Sequence, residues 1–196
     1  MIPLILNRRT SLRSILALSA LGISSFSAYK WFDLHQKISL SQIADFKVLI
    51  AELAETIIPQ TDTPGAKSAG VQNYIINVLH NCTSKIEQNK FLNGLENVQN
   101  YTQSKFNKSF DRCTPLERVE ILKHFEENDT YRYQILNKIN NKLVGRPFFT
   151  LLKQLTVEGY CSSELGASQG LSYDYIPGSF IACTSLKPNQ KSWATK

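Results

Sequence analysis

"ISLSQIADFKVLIAELAETIIP", residues 38–59, decides the fold. Its large apolar residues Ile43, Phe46, Ile50, Leu53 and Ile57 follow one another at steps of three, four, three and four. That period lays them along one face of a helix of about four turns, the pattern of a segment packed against a core on one side. Ser39 with Gln42 forms a capping box at its start, with Ser41 as the alternative cap. Pro59 ends it, because the residue before a proline is pushed out of the helical region.

The same period recurs outward from this stretch. "SAGVQNYIINVLHN" places Val71, Tyr74, Ile75, Val78 and Leu79 on one face. A third helix is expected from Ser84 to about Lys105, with Ser84 and Glu87 as its capping box and Phe91, Leu95 and Val98 inward. "TPLE" (114–117) supplies a Thr cap, a Pro at the first helical position and a Glu at the third. Leu116, Val119, Leu122 and Phe125 are then the expected apolar face. "DTYRYQILNKINNKLVG" continues the pattern with Ile135, Leu136, Ile139 and Leu143, and "FFTLLKQLTVEGYCSSELG" closes it. From Gly166 the helical period is lost while Gly, Pro and aromatic residues accumulate. Tyr173, Tyr175, Ile176 and Phe180 make this arm too apolar for a solvated tail, so it packs on its own domain, wraps a partner, or does both. No stretch alternates long enough for a strand. The expectation is a single all-α domain of five to six helices with an irregular C-terminal arm.

The chain's 42% hydrophobic and 19% charged residues allow a real core and argue against global disorder. Residues 1–27 hold Arg8, Arg9 and Arg13 and no acid, so half of the formal +6 sits there. The remaining basic residues are interspersed with acids and form no stripe of the kind nucleic acid requires. "LNRRTSLRSILALSALGISSFSA" (6–28) sets those arginines before a modest apolar run from Ile15 to Phe26, too short to span a bilayer. Adjacent Arg8 and Arg9 resemble the twin-arginine export signal, although Asn7 and Ser11 stand where Ser and Phe are usual. A general secretory signal and a retained anchor are the alternatives. Ser25 and Ser27 are spaced for cleavage after Ser27, with Ala20 and Gly22 as a second option. The chain thus divides into a signal (1–27), a linker (28–39), a helical domain (40–186) and a tail (187–196). The expected location is the periplasm, with membrane association through a complex or a retained signal.

The twin-arginine route carries folded proteins, commonly with a cofactor inserted, yet no cofactor motif stands out. The cysteines Cys82, Cys113, Cys161 and Cys183 form no CxxC or CxxCH, so covalent haem and an iron–sulfur cluster lack support. His35, His80 and His124 are scattered, and His80 and Cys82 lie two apart, on different helix faces. There is no dinucleotide or phosphate-binding glycine pattern and no nucleophile elbow. Four thiols in an exported chain suggest disulfides instead. Cys82–Cys113 and Cys161–Cys183 are the preferred pairs, since each closes a local loop; free thiols, or a bridge from Cys161 or Cys183 to another chain, are the alternatives.

"IIPQTDTPGAKSAG" (57–70) sets two prolines against two glycines, which restrict the backbone at some positions and permit positive φ at others. Asp62, between two threonines, can bond neighbouring amides or cap the next helix. No second acid, His or Lys accompanies it in a catalytic constellation. A preorganised loop loses little entropy on docking, which makes it a candidate contact surface.

Here the residues resemble a known family. "LAETIIPQTDTPGAKSAGV" (53–71) and "GYCSSELGASQGLSYDYIPGSFIAC" (159–183) are similar to the small-subunit family gluconate 2-dehydrogenase subunit 3, and the resemblance covers nearly all of residues 40–186. Thr61, Asp62, Thr63, Pro64, Gly65, Gly70, Glu164, Gly166, Ala167, Tyr173, Pro177, Gly178 and Cys183 carry it; Cys161 and Gly170 stand where an aromatic or aliphatic residue and an alanine are more usual. The resemblance implies a cofactor-free, non-catalytic subunit of a heteromeric dehydrogenase acting on a sugar, sugar acid or polyol. It implies a large subunit of the glucose–methanol–choline type that holds FAD, often with a multihaem cytochrome c that passes electrons onward. The small subunit would stabilise the flavoprotein and supply the export signal for both, with the motif residues from Thr61 to Gly178, Ala167 aside, as the partner interface. The competing reading is a stand-alone exported helical binding protein that shares only the fold.

Overall fold

A computed structural model describes residues 40–129, 145–176, 178–179, 183 and 185–194. Helices Leu40–Asp45 (α1), Lys47–Ile57 (α2), Val71–Cys82 (α3), Lys85–Phe106 (α4), Pro115–Asp129 (α5) and Phe148–Ser162 (α6) account for most of them, with a 3₁₀ turn at Phe110–Arg112. The only pairing of extended backbone among the described residues is one isolated bridge, Ser172 to Trp193. The domain is all-α.

The opening stripe buries as expected at Ile43, Ile50 and Leu53, but it belongs to two helices rather than one. Phe46, at φ −86° and ψ 8°, leaves the helical region and bonds its N–H to the Ile43 carbonyl three residues back. Its own carbonyl accepts the Ile50 N–H at 2.9 Å, so α2 restarts at once with nearly the same face inward. Ile58, before Pro59, leaves the helical region at φ −126° and ψ 87° and closes α2.

Local signals set the next boundaries. Ser84 Oγ accepts the Glu87 N–H at the start of α4, and Phe91, Leu95 and Val98 are fully buried. The buried Gln88 side chain donates to the Leu79 carbonyl at 2.7 Å, satisfying the last turn of α3 from the first turn of α4. At α5 the capping box is reciprocal: Thr114 N–H to Glu117 Oε2 at 2.7 Å and Glu117 N–H to Thr114 Oγ1 at 3.4 Å.

The inward face of α5 differs from its apolar pattern. Ile121 and Leu122 are buried, whereas Leu116 is 84% and Val119 41% exposed. Arg118 explains the rotation. Its guanidinium turns inward to Glu52, to the carbonyls of Cys113 and Asp111, and over the Phe110 ring. Those charge-assisted bonds outweigh the burial of two further aliphatic side chains.

Helix α6 lies at the centre and touches α2, α3, α4 and α5. Leu151, Leu152, Leu155 and Thr156 are buried along it. Its first-turn amides at Phe149 and Thr150 are held by one oxygen of Asp129, the last residue of α5. A Cβ on Gly94 would stand 2.2 Å from the Phe148 ring, so α4 and α6 meet where only glycine fits. After α6 the chain makes one further turn of π-helix, Gly166–Gly170, where the sequence suggests irregular backbone. The predicted helix over 129–145 falls, after Asp129, in residues 130–144, outside the described residues.

Candidate docking surface

The loop after α2 is organised by two glutamates of that helix. Glu55 Oε1 accepts the Gln60 N–H at 2.9 Å and Oε2 the Lys67 N–H at 2.8 Å. Glu52 pairs with the Lys67 ammonium and with Arg118. Burial raises the Glu52 pKa, but its bonds to Lys67 and Arg118 more than reverse this and hold the carboxyl below the usual range. The Ala66 N–H returns to the Ile58 carbonyl at 2.9 Å, closing the loop at its base. Sequence reading misses both glutamates, because acids on a helix read as its solvated face. Their spacing of three, just before the Pro-rich stretch, is the signal that could have found them.

The predicted loop residues take definite parts on this frame. Thr61, Asp62 and Thr63 form an outward network, with Thr61 Oγ1 donating to Asp62 Oδ1 at 2.9 Å and the Thr61 N–H to the Thr63 carbonyl at 3.0 Å. Asp62 is exposed, and the acceptor role for the loop's amides that the sequence suggests for it falls to Glu55 instead. Gly70 has the anticipated positive φ of 72° just before α3. Gly65 does not; it is buried, and a Cβ there would stand 2.3 Å from the Glu55 carboxylate. Its requirement is space rather than backbone freedom.

The second motif comes to the same place. Tyr160, near the end of α6, donates from its hydroxyl to the Pro64 carbonyl at 2.8 Å, across 96 residues of chain. The π turn folds around that tyrosine: a Cβ on Gly170 would lie 2.3 Å from the hydroxyl, and one on Gly166 would lie 2.0 Å from the Tyr160 carbonyl. An aromatic residue late in an apolar helix reads as ordinary core, so the sequence alone does not single out Tyr160. Ala167 follows Gly166 in this turn with its N–H on the Ser163 carbonyl, and Glu164, exposed, has its carbonyl bonded by Ser168.

Beyond the turn the arm leaves the helices. The Ser172 N–H bonds the Ser192 carbonyl and the Ala194 N–H returns to the Ser172 carbonyl, both at 2.8 Å. Residues 192–194 are therefore tied to the start of the arm. Tyr173, Tyr175, Ile176, Leu186 and Trp193 all face solvent, Tyr175 at 82% and Ile176 at 76% exposure. None of these five side chains is buried in the domain's core. Gly178 is exposed with open space around it. Pro177, Phe180, Arg8 and Arg9 lie outside the described residues.

The two preferred disulfides are not formed, and all four cysteines are free. Cys113 is buried with its thiol toward the Ser109 carbonyl, and burial pushes its pKa up, while Cys82 is exposed at the end of α3. Cys161 and Cys183 are both exposed. Among the described residues no group of three or more His, Cys, Asp or Glu side chains could hold a metal ion, and no helix is long and apolar enough to cross a membrane.

The two motifs thus meet at the Tyr160–Pro64 bond. Residues 44–178 match the family described as Gluconate 2-dehydrogenase subunit 3. The chain belongs to that family. Gluconate 2-dehydrogenase subunit 3 proteins are, by that description, small subunits of a dehydrogenase, which makes this chain an accessory subunit associated with other dehydrogenase subunits. No curated protein and no solved structure matches the chain.

Proposed function

We propose that the chain is the non-catalytic small subunit of a heteromeric FAD-dependent dehydrogenase of the gluconate, sugar or polyol type. It stabilises the flavoprotein subunit and carries it, folded and loaded, through twin-arginine export into the periplasm. FAD resides on that partner, of the glucose–methanol–choline type, and a multihaem cytochrome c subunit takes the electrons where one is present. Membrane association comes through the complex or a retained signal.

One observation carries this reading: the loop 59–70 and the turn 164–170 converge at the Tyr160–Pro64 bond, beside the root of an arm that holds Tyr175, Ile176 and Trp193 in solvent. Stable partner surfaces combine a preorganised polar frame with a few large apolar or aromatic anchors. A chain that worked as a lone monomer would gain nothing from leaving those side chains exposed.

Purification of the full chain from periplasm tests the proposal. A much larger flavoprotein with FAD absorbance should accompany it, while the chain alone should show none. Changing Arg8 and Arg9 together to Lys should leave both subunits in the cytoplasm. Recovery of the chain without any flavoprotein, or normal export of the partner beside the double variant, would refute the reading.

A further inference from the structure

We infer that Tyr160 is a positioning residue for docking: its hydroxyl locks the loop 59–70 to the turn at the root of the arm, so that the two motifs bind the flavoprotein as one rigid surface. This rests on the function proposed above. The loop's other bonds run to α2 and its cap through Glu52, Glu55 and the Ile58 carbonyl, within the loop itself, or onward to the first turn of α3, where the Val71 and Asn73 amides donate to the Ala66 and Gly70 carbonyls. The Tyr160 bond instead reaches α6 and, through it, the C-terminal half of the surface.

The chemistry of the side chain supports the role. Tyr160 is 7% exposed and packs in the core, where a phenylalanine would fill the same space. A hydroxyl in such a place is unfavourable unless it finds a partner, and here it meets the Pro64 carbonyl at 2.8 Å. On its other side the hydroxyl stands where a Cβ of residue 170 would be, so the glycine of the π turn lets arm and hydroxyl approach closely. The hydroxyl therefore touches the loop on one side and the turn on the other. Without it, the loop keeps its frame on α2 but samples orientations relative to the arm, and only a fraction of molecules present both motifs together.

The test is Tyr160→Phe in the full chain, titrated against the FAD-loaded glucose–methanol–choline-type subunit that co-purifies with the parent chain. The dissociation constant should rise about threefold to tenfold, the span expected for one lost hydrogen bond. The melting temperature should fall by no more than about 4 °C. Asp62→Ala and Tyr175→Ala, on the loop and on the arm, should be coupled in their effects on affinity in the parent chain and additive in the Tyr160→Phe background. An unchanged dissociation constant, equal coupling in both backgrounds, or a melting drop beyond about 10 °C would overturn the positioning role. A parent chain with no affinity for the flavoprotein would instead overturn the function itself.

Discussion

Glu52 and Arg118 are joined by a direct ion pair, Oε2 to Nη1, across 66 residues of chain. Their side chains are only 12% and 18% exposed, and the second oxygen of Glu52 receives Lys67 from the loop. One carboxylate therefore ties α5 and the docking loop to α2. Glu52→Gln should destabilise the domain by about 2 kcal/mol, because it leaves the part-buried guanidinium without its counter-charge. Denaturant unfolding measures the loss. Faster hydrogen exchange at the amides of residues 66–70 would locate part of it in the loop.

The same pair gives the domain an acid limit. The Glu52 pKa lies below the ordinary 4.5, burial being outweighed by Lys67 and Arg118, and that of Glu87 is lowered by its bond to Arg146. A depressed folded-state pKa contributes stability above the unfolded value, and that contribution is lost as pH falls through the folded value. Asp129 runs the other way, since its burial raises the pKa despite the two amide bonds it accepts; its ionised form is disfavoured by folding as pH rises. The melting temperature should thus hold from neutral pH to about 5 and fall below it. Glu52→Gln should flatten part of that fall. A parallel fall in parent and variant would exclude Glu52 as its source.

Gly65→Ala and Gly70→Ala should fail for different reasons. The first drives a Cβ into the Glu55 carboxylate and should cost about 1–3 kcal/mol as overpacking. The second makes only an ordinary contact with the Asn73 amide but forces φ 72° on an alanine, at about 1 kcal/mol. Combining each with Glu55→Ala separates them: shortening Glu55 should relieve the Gly65 variant and leave the Gly70 variant unchanged.

Ile176→Asp and Tyr175→Asp should leave stability within about 0.5 kcal/mol, since both side chains are exposed. Both should abolish recovery of the flavoprotein with the chain. A variant that melts like the parent and still brings the flavoprotein down would remove the arm from the interface.

Most helix boundaries were legible because their causes are local. A cap lies three residues from the amide it serves, as with Ser84 and Glu87 or Thr114 and Glu117, and a proline acts on its immediate predecessor, as Pro59 does on Ile58. The break at Phe46 escapes the apolar period, since that period counts spacing and is unchanged by one residue leaving helical ψ. The Cys82–Cys113 pair that closeness in sequence suggests is not formed: Cys113 is in the core and Cys82 in solvent, and burial is not legible from spacing along the chain.

The sequence by itself determined that the chain is helical, where most of its helices begin and stop, and which family it belongs to. Only the tertiary structure decided which face of α5 points inward, which acids hold the loop, and that Pro64 and Gly170 meet at one hydroxyl. The reason is the range of the interactions. Periodicity and capping act within one or two turns, whereas the Glu52–Arg118 pair and the Tyr160–Pro64 bond exist only after the helices have packed and brought distant residues within hydrogen-bond reach.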